Sequence, residues 1–310
     1  MLLKTHITLF LALLLIGCSG TAPQMKQTLA DIDIVGDKPS KSTTISIKPT
    51  NEEIRKAYAK YLENAAKDDR SRLAAISRLA ELEFELSNRQ QQEKNSLESD
   101  NVEHMDATHI ARLNTTISLI NTSLSEFPNA RGNDKLLYNL ANAYDQLGDY
   151  QRSIEALTQL CDNYPRSSYY PESQFRVAED LFSKGEYIAA EDSYTNVIAS
   201  PKNDRFIEKA LMKRGWSRFK SDYYHEAIDD FINAIAYHGF DSEESLSGGE
   251  KDVFNEYFRA IALSFIYIED FDQITQYFKD QPSFEHIYTI YNSISDIYLK
   301  QERYFDSANT

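Results

Sequence analysis

An aromatic residue recurs along this chain at an interval of 37 residues. It stands at Tyr150, Tyr187 and Tyr224, in each case after a short turn between two segments with helical patterning. Fainter copies place Phe271 and Tyr304 at the same position. Periods of this length are typical of stacked helix pairs. Because one helix pair cannot bury its apolar face alone, the repeat predicts a row of pairs that share a continuous core.

Two further positions recur with the aromatic residue. One is a small residue where the two helices of a pair are expected to cross closely, and the other is a large apolar residue on the inner face of the second helix. An irregular helical bundle is the alternative explanation of the periodicity. The small residues are Ala141, Ala178, Gly215 and Ala262, and the large ones are Leu157, Tyr194, Phe231 and Phe278.

These positions together resemble the tetratricopeptide repeat (TPR). The segment YPRSSYYPES at 164–173 is also similar to the linker between repeats in bacterial envelope TPR proteins of the BamD and CpoB type. The resemblance implies an all-α fold, namely a TPR-like α-solenoid of antiparallel helix pairs.

The N-terminus carries a second motif. An apolar run at 7–16, too short to span a bilayer comfortably, ends in Leu15-Ile16-Gly17-Cys18. This resembles the lipobox of bacterial lipoproteins, which implies cleavage before Cys18, acylation of Cys18 (palmitate among its lipids) and anchoring to a membrane. Ser19 favours the outer membrane, with the protein facing the periplasm. The alternative is an ordinary secretory signal with a chance cysteine.

Four regions are expected along the chain. They are a lipoprotein signal peptide at 1–17, the lipidated cysteine and a flexible tether at 18–50, an N-terminal helical region with a divergent repeat at 51–130, and a TPR array at 131–310. Apolar spacing predicts helices over 52–66, 70–88 and 107–126, with a frayed extension or a loop after Asn88. The last repeat looks incomplete, so we expect the chain to be a fragment of a longer protein.

Charge and motif content narrow the function. A formal net charge of −15 argues against nucleic acid as a partner. No residue spacing typical of a catalytic or metal site is present, so we predict no enzyme, no cofactor and no metal. His104 and His109 with Asp106 are the nearest approach to a metal site, and a solvated loop is the preferred interpretation. Leu246–Glu250, in an acidic insertion over 240–252, is read as a flexible Gly turn, and Cys161 as a small buried hydrophobe.

The resemblance also places a binding groove. In TPR proteins the first helix of each pair lines the concave face, and exposed aromatic residues there are typical interface anchors. The alternative is that these rings pack against the adjacent repeat. Transferred by register, the groove comprises Tyr138, Asn142, Asp145, Phe175, Glu179, Phe182, Met212, Trp216, Phe219, Arg259, Leu263 and Tyr267.

The sequence therefore predicts a lipid-anchored periplasmic TPR scaffold that binds a peptide or a helix of an envelope protein. Outer-membrane assembly, cell-wall coordination and a TonB/ExbB-type system are the candidate settings. Two alternatives stay open: an accessory helical region of an envelope enzyme whose catalytic domain lies beyond residue 310, and a glycan- or solute-binding lipoprotein.

Overall fold

The computed structural model describes residues 48–66, 70–97, 107–200, 205–239, 246–268, 271–279 and 286–310. The signal peptide, Cys18 and the tether up to residue 47 lie outside these residues. Residues Pro49–Thr310 form one compact unit. None of the described helices is both long enough and apolar enough to cross a membrane.

The described residues form thirteen α-helices and no β-strand. The helices pack chiefly on their neighbours in the chain, as the predicted all-α fold of antiparallel pairs requires. They are α1 (Asn51–Asn64), α2 (Arg70–Leu97), α3 (Ala107–Glu126), α4 (Asn133–Gln146), α5 (Tyr150–Asn163), α6 (Tyr170–Ser183), α7 (Tyr187–Ala199), α8 (Ile207–Lys220), α9 (Tyr224–His238), α10 (Gly248–Ile268), α11 (Phe271–Lys279), α12 (Ile287–Lys300) and α13 (Tyr304–Asn309).

Each recurring aromatic residue begins the second helix of a pair, at the first residue of α5, α7, α9, α11 and α13. The predicted register is therefore confirmed. The surroundings of the ring differ in one respect. Tyr187 and Tyr224 pack edge-on against Phe182 and Phe219, with centroids 5.3 and 5.4 Å apart, whereas Tyr150 is 69% exposed. The reason is that the residue five positions earlier is an aspartate in the first copy and a phenylalanine in the other two.

The turn inside a pair has one backbone geometry in four copies. Its central residue takes a left-handed conformation, with φ of 75° at Gly148, 81° at Gly185, 64° at Asp222 and 59° at Glu302. The next N–H then donates to the carbonyl five residues back, at 2.9 Å in all four turns. This is the Schellman end of a helix, which satisfies carbonyls that the helix leaves unpaired.

The core follows the two recurring positions. All four small residues are buried, and the four large residues on the second helices are between 0 and 4% exposed. The two helices of the third clear pair cross closely at Gly215. A methyl group added there would lie 2.5 Å from Cε1 of the Phe231 ring, so the glycine makes room for that ring.

Buried carboxylates also join neighbouring helices. Glu83 of α2 is 3% exposed and accepts hydrogen bonds from Arg55 of α1 and Arg112 of α3, both at 2.9 Å. Asp230 of α9 is 1% exposed and accepts two from Arg214, at 2.6 and 2.9 Å. Burial raises the pKa of the Asp230 carboxyl, which the adjacent guanidinium groups oppose.

The structure confirms the three predicted N-terminal helical segments, decides between the two alternatives after Asn88 and corrects two other assignments. Helix α2 continues to Leu97, so the stretch after Asn88 is an extension of the helix up to that residue and not a loop. His109 lies in no solvated loop. It is 2% exposed on α3, with Nδ1 2.7 Å from the hydroxyl of Ser87. The expected Gly turn is wrong as well, since Gly248 and Gly249 belong to the first turn of α10.

Candidate protein-binding face

The first helices of successive pairs are bonded to one another along one face, called here the first-helix face. Between α4 and α6, Arg176 donates to Asn142 at 3.1 Å and forms an ion pair with Asp145. Tyr138 of α4 donates to Glu172 of α6 at 2.8 Å and stacks on Tyr169, with centroids 4.5 Å apart. The polar groups between α4 and α6 therefore bond to each other.

The step from α6 to α8 repeats this pattern. Lys213 donates to Glu179 at 2.9 Å, and its ammonium group lies 5.6 Å from the centre of the Phe182 ring. Glu179 also accepts a hydrogen bond from the hydroxyl of Tyr194. Burial and then this carboxylate raise the pKa of Tyr194, so the phenol stays protonated. We call the bonded groups of α4, α6 and α8 the polar ladder.

Two of the predicted groove residues pack against the core, Phe175 partly buried and Met212 buried. Phe175 packs against Tyr194 and Phe206, with centroids 5.8 and 5.4 Å away. Met212 is only 9% exposed and lies in the core around α8, α9 and α10. Both side chains contribute to packing between repeats. Whether any of the predicted groove residues binds a partner stays a prediction.

Beyond the ladder, aromatic residues gather between α8 and α10. Phe219 contacts Trp216, Tyr224 and Tyr267, with centroids 5.2 to 5.4 Å apart, and we call these four rings the aromatic cluster. Trp216 also packs on the buried ring of Phe231. Tyr267 is 56% exposed and is the open side of the cluster. A hydrogen bond to Asp222 raises the pKa of Tyr224 to about 12.

A cleft of about 590 Å³ lies between α10 and α12. Two predicted groove residues, Arg259 and Leu263, line it from α10. The groove positions transferred by register end at α10, so none of them lies on the α12 side of the cleft. The α12 residues are Ser293, Asp296, Ile297 and Lys300.

Within the described residues, no group of three or more His, Cys, Asp or Glu side chains is placed to hold a metal ion. The two other members of the possible metal site, His104 and Asp106, lie outside those residues. Burial raises the pKa of the Cys161 thiol to about 12, so Cys161 is held as a thiol.

Residues 135–167, which span most of α4, all of α5 and the start of the following turn, match the family model for the tetratricopeptide repeat. Comparison with curated proteins finds no match.

Among solved structures, the chain is similar to the MamA protein, at 15% identity over 73% of this chain and 94% of that one, with a TM-score of 0.41. A tetratricopeptide repeat protein from Parabacteroides merdae is 14% identical over 73% and 77%, with a TM-score of 0.42. The C-terminal part of a TPR repeat-containing protein from Cytophaga hutchinsonii is 11% identical over 83% and 78%, with a TM-score of 0.43.

Repeats of this type generally serve as protein-interaction scaffolds. Residues 135–167 thus match a tetratricopeptide repeat, and the succession of like helix pairs gives the described residues a TPR-like α-solenoid fold.

Proposed function

We propose that this protein is a non-catalytic scaffold that binds a protein partner on its first-helix face, at the aromatic cluster. The observation that carries the proposal is the 56% exposure of Tyr267 beside Phe219 and Tyr224. Aromatic rings left open to water beside other rings are costly without a partner and are typical anchors of interfaces. The polar ladder has fewer groups available to bind a partner, because its polar groups bond to each other.

We further propose that the protein is a lipoprotein of the bacterial envelope, held through Cys18 at the outer membrane and facing the periplasm. Support comes from the apolar run and the lipobox-like Leu15-Ile16-Gly17-Cys18. Several acyl chains give stable anchoring, since each buried methylene contributes about 0.8 kcal/mol. The partner would then be an envelope protein, in barrel assembly, cell-wall synthesis or energy transduction.

Photo-crosslinking in living cells tests the binding face. A photoreactive amino acid replaces Tyr267 in the full chain, and in a matched strain it replaces Asn233, an exposed residue on the second helix α9. We expect a discrete protein adduct from position 267 and none from position 233. Equal adducts from both positions, or none from either, would refute the proposed face.

Membrane fractionation and labelling with a palmitate analogue test the anchor. Cys18→Ala should abolish the label and release the protein from sedimenting membranes. Cys161→Ala is the matched control, because it removes the only other cysteine of the chain and should leave both readouts unchanged. A Cys18→Ala protein that still sediments with membranes would exclude lipid anchoring.

A further inference from the structure

About half of the Lys and Arg side chains in the described part of the chain form an ion pair with a carboxylate. Asp and Glu outnumber Lys and Arg by 48 to 33, so carboxylates are in excess as possible partners for a cation that faces another helix. On the first-helix face, Arg176 and Lys213 are both neutralised in this way. Arg259 and Lys300 belong to the unpaired half, because neither has an ion pair or a side-chain hydrogen bond with any described residue.

These two cations line the same cleft from opposite sides. Arg259 lies on α10 and Lys300 on the last turn of α12. Leu263 and Ile297, both half-buried, lie in the cleft with them and give it an apolar surface. The cleft thus combines positive charge with a place for an apolar side chain.

On α10, the cleft residues are in line with Tyr267 of the aromatic cluster. Arg259, Leu263 and Tyr267 are four residues apart on α10, so they form one stripe along the helix. At 1.5 Å per residue the stripe is about 12 Å long. An extended segment of about four residues covers that distance, at about 3.3 Å per residue.

We propose that this cleft binds an acidic segment of a protein partner. One carboxylate lies between Arg259 and Lys300, and an apolar or aromatic side chain next to it packs on Leu263 and Ile297 and points towards Tyr267. The proposal rests on the proposed function and names the chemistry of its partner.

Asp296 restricts the choice of segment. It is an exposed carboxylate in the same cleft, and it has no ion pair with Lys300 four residues later, although both side chains belong to described residues. A run of several acidic residues would bring like charges close to Asp296 in a protein whose formal charge is −15. We therefore expect one or two carboxylates beside an aromatic residue, and not a polyacidic tail.

Selection from a random octapeptide library tests the proposal. The full-length protein, held in mild detergent, is the bait, and the probe is the peptide pool itself. We expect enrichment of peptides in which Asp or Glu lies within about three residues of Phe, Tyr, Trp or Leu. The dissociation constant of a selected peptide is then measured by fluorescence anisotropy. It should rise about tenfold or more when the acidic residue becomes its amide.

Protein variants locate the binding. Arg259→Gln with Lys300→Gln should weaken the same peptide by about tenfold or more, and the amide peptide should lose no further affinity. The matched control is Arg166→Gln with Lys209→Gln. This pair removes two exposed cations away from the cleft, so it makes the same change in net charge. Circular dichroism checks that each variant keeps its helices.

The possible outcomes separate the two proposals. Selected peptides without acidic enrichment that lose affinity with Tyr267→Ala would overturn the acidic specificity and leave the binding face standing. Acidic peptides that bind the Arg259→Gln, Lys300→Gln variant as well as the parent would place the site elsewhere and overturn the inference. No enrichment of any peptide would count against both.

Discussion

Gly215→Ala should destabilise the protein although it replaces a glycine inside a helix. The added methyl carbon would lie 2.5, 2.8 and 3.0 Å from three ring carbons of Phe231. Ordinary carbon contacts are about 3.5–4.0 Å, so the ring must move by about 1 Å. It is completely buried and in contact with Trp216. Overpacking costs about 1–3 kcal/mol, and the better helix propensity of alanine returns up to about 1 kcal/mol. We expect a net loss of about 1–2 kcal/mol.

The cause can be isolated with a second substitution. Phe231→Leu removes the outer ring carbons that make two of the three contacts, at the cost of a cavity. In that background Gly215→Ala should be neutral or stabilising, so the two changes should couple by about 1–3 kcal/mol. Urea unfolding followed by circular dichroism and by the fluorescence of Trp216, the only tryptophan, measures this at the site. A stabilising effect of Gly215→Ala in the parent, or strictly additive changes, would refute the reasoning.

Three further predictions follow from single residues. Gly185→Ala should lower the free energy of unfolding by about 1–2 kcal/mol, because it forces a side chain into a left-handed turn. Gly249→Ala is the control: it lies in ordinary helical backbone with open space around it, so it should be neutral or stabilising by up to about 1 kcal/mol. The urea midpoints of the two variants measure the difference. Glu83→Gln should cost about 2 kcal/mol by breaking two ion pairs to a buried carboxylate, and the exposed Glu85→Gln less than about 0.5 kcal/mol; equal losses would contradict this. Cys161 should react slowly with iodoacetamide at pH 8 and rapidly in urea, because burial keeps its thiol protonated; fast alkylation of the folded protein, followed by mass spectrometry, would contradict the burial.

The fold could be predicted because its determinants are local and repeated. The recurring aromatic residue at the start of each second helix marks where the turn ends, and the small residue at Ala141 and its equivalents marks the crossing. Both positions can be read from one copy and checked against the next. The burial of the small residues and of the large apolar residues on the second helices follows from the same register, which holds from Leu157 to Phe278 despite the change in repeat length.

The sequence predicts less about the candidate binding face. Register identifies which residues belong to the first helices, but it does not show how closely two first helices approach. Met212 is buried in a core that α8 shares with α9 and with α10 of the next repeat. His109 is buried by a contact that its local sequence does not show, since its bond to Ser87 joins residues that are 22 apart. Such pairings leave no periodic signal in a single sequence.

Along the first-helix face, the ion pairs and hydrogen bonds of the polar ladder stop at α8, and aromatic contacts take their place between α8 and α10. Single residues account for this change. Two hydrogen bonds of the polar ladder join residues 34 apart, Arg176 to Asn142 and Lys213 to Glu179. Counted from the small crossing residue, the position of Arg176 and Lys213 corresponds to Ala260 in α10. This alanine is fully buried and uncharged, and Trp216 occupies the position of Glu179. Neither member of the Lys213–Glu179 ion pair therefore has an equivalent between α8 and α10.

The ladder therefore ends at α8, and α10 meets α8 instead through Phe219 and Tyr267 and through the hydroxyl of Tyr257, which donates to Glu208 at 2.6 Å. An aromatic contact at the rim, unlike an ion pair, leaves ring faces available to a partner. Replacing Ala260 by lysine would not restore the ladder, since the position is closed by packing. The exposure of the aromatic cluster therefore depends on how α10 packs against α8 and α9. We expect the affinity for a partner at this cluster to respond more to changes in the packing of these three helices than to changes in the charges of the polar ladder.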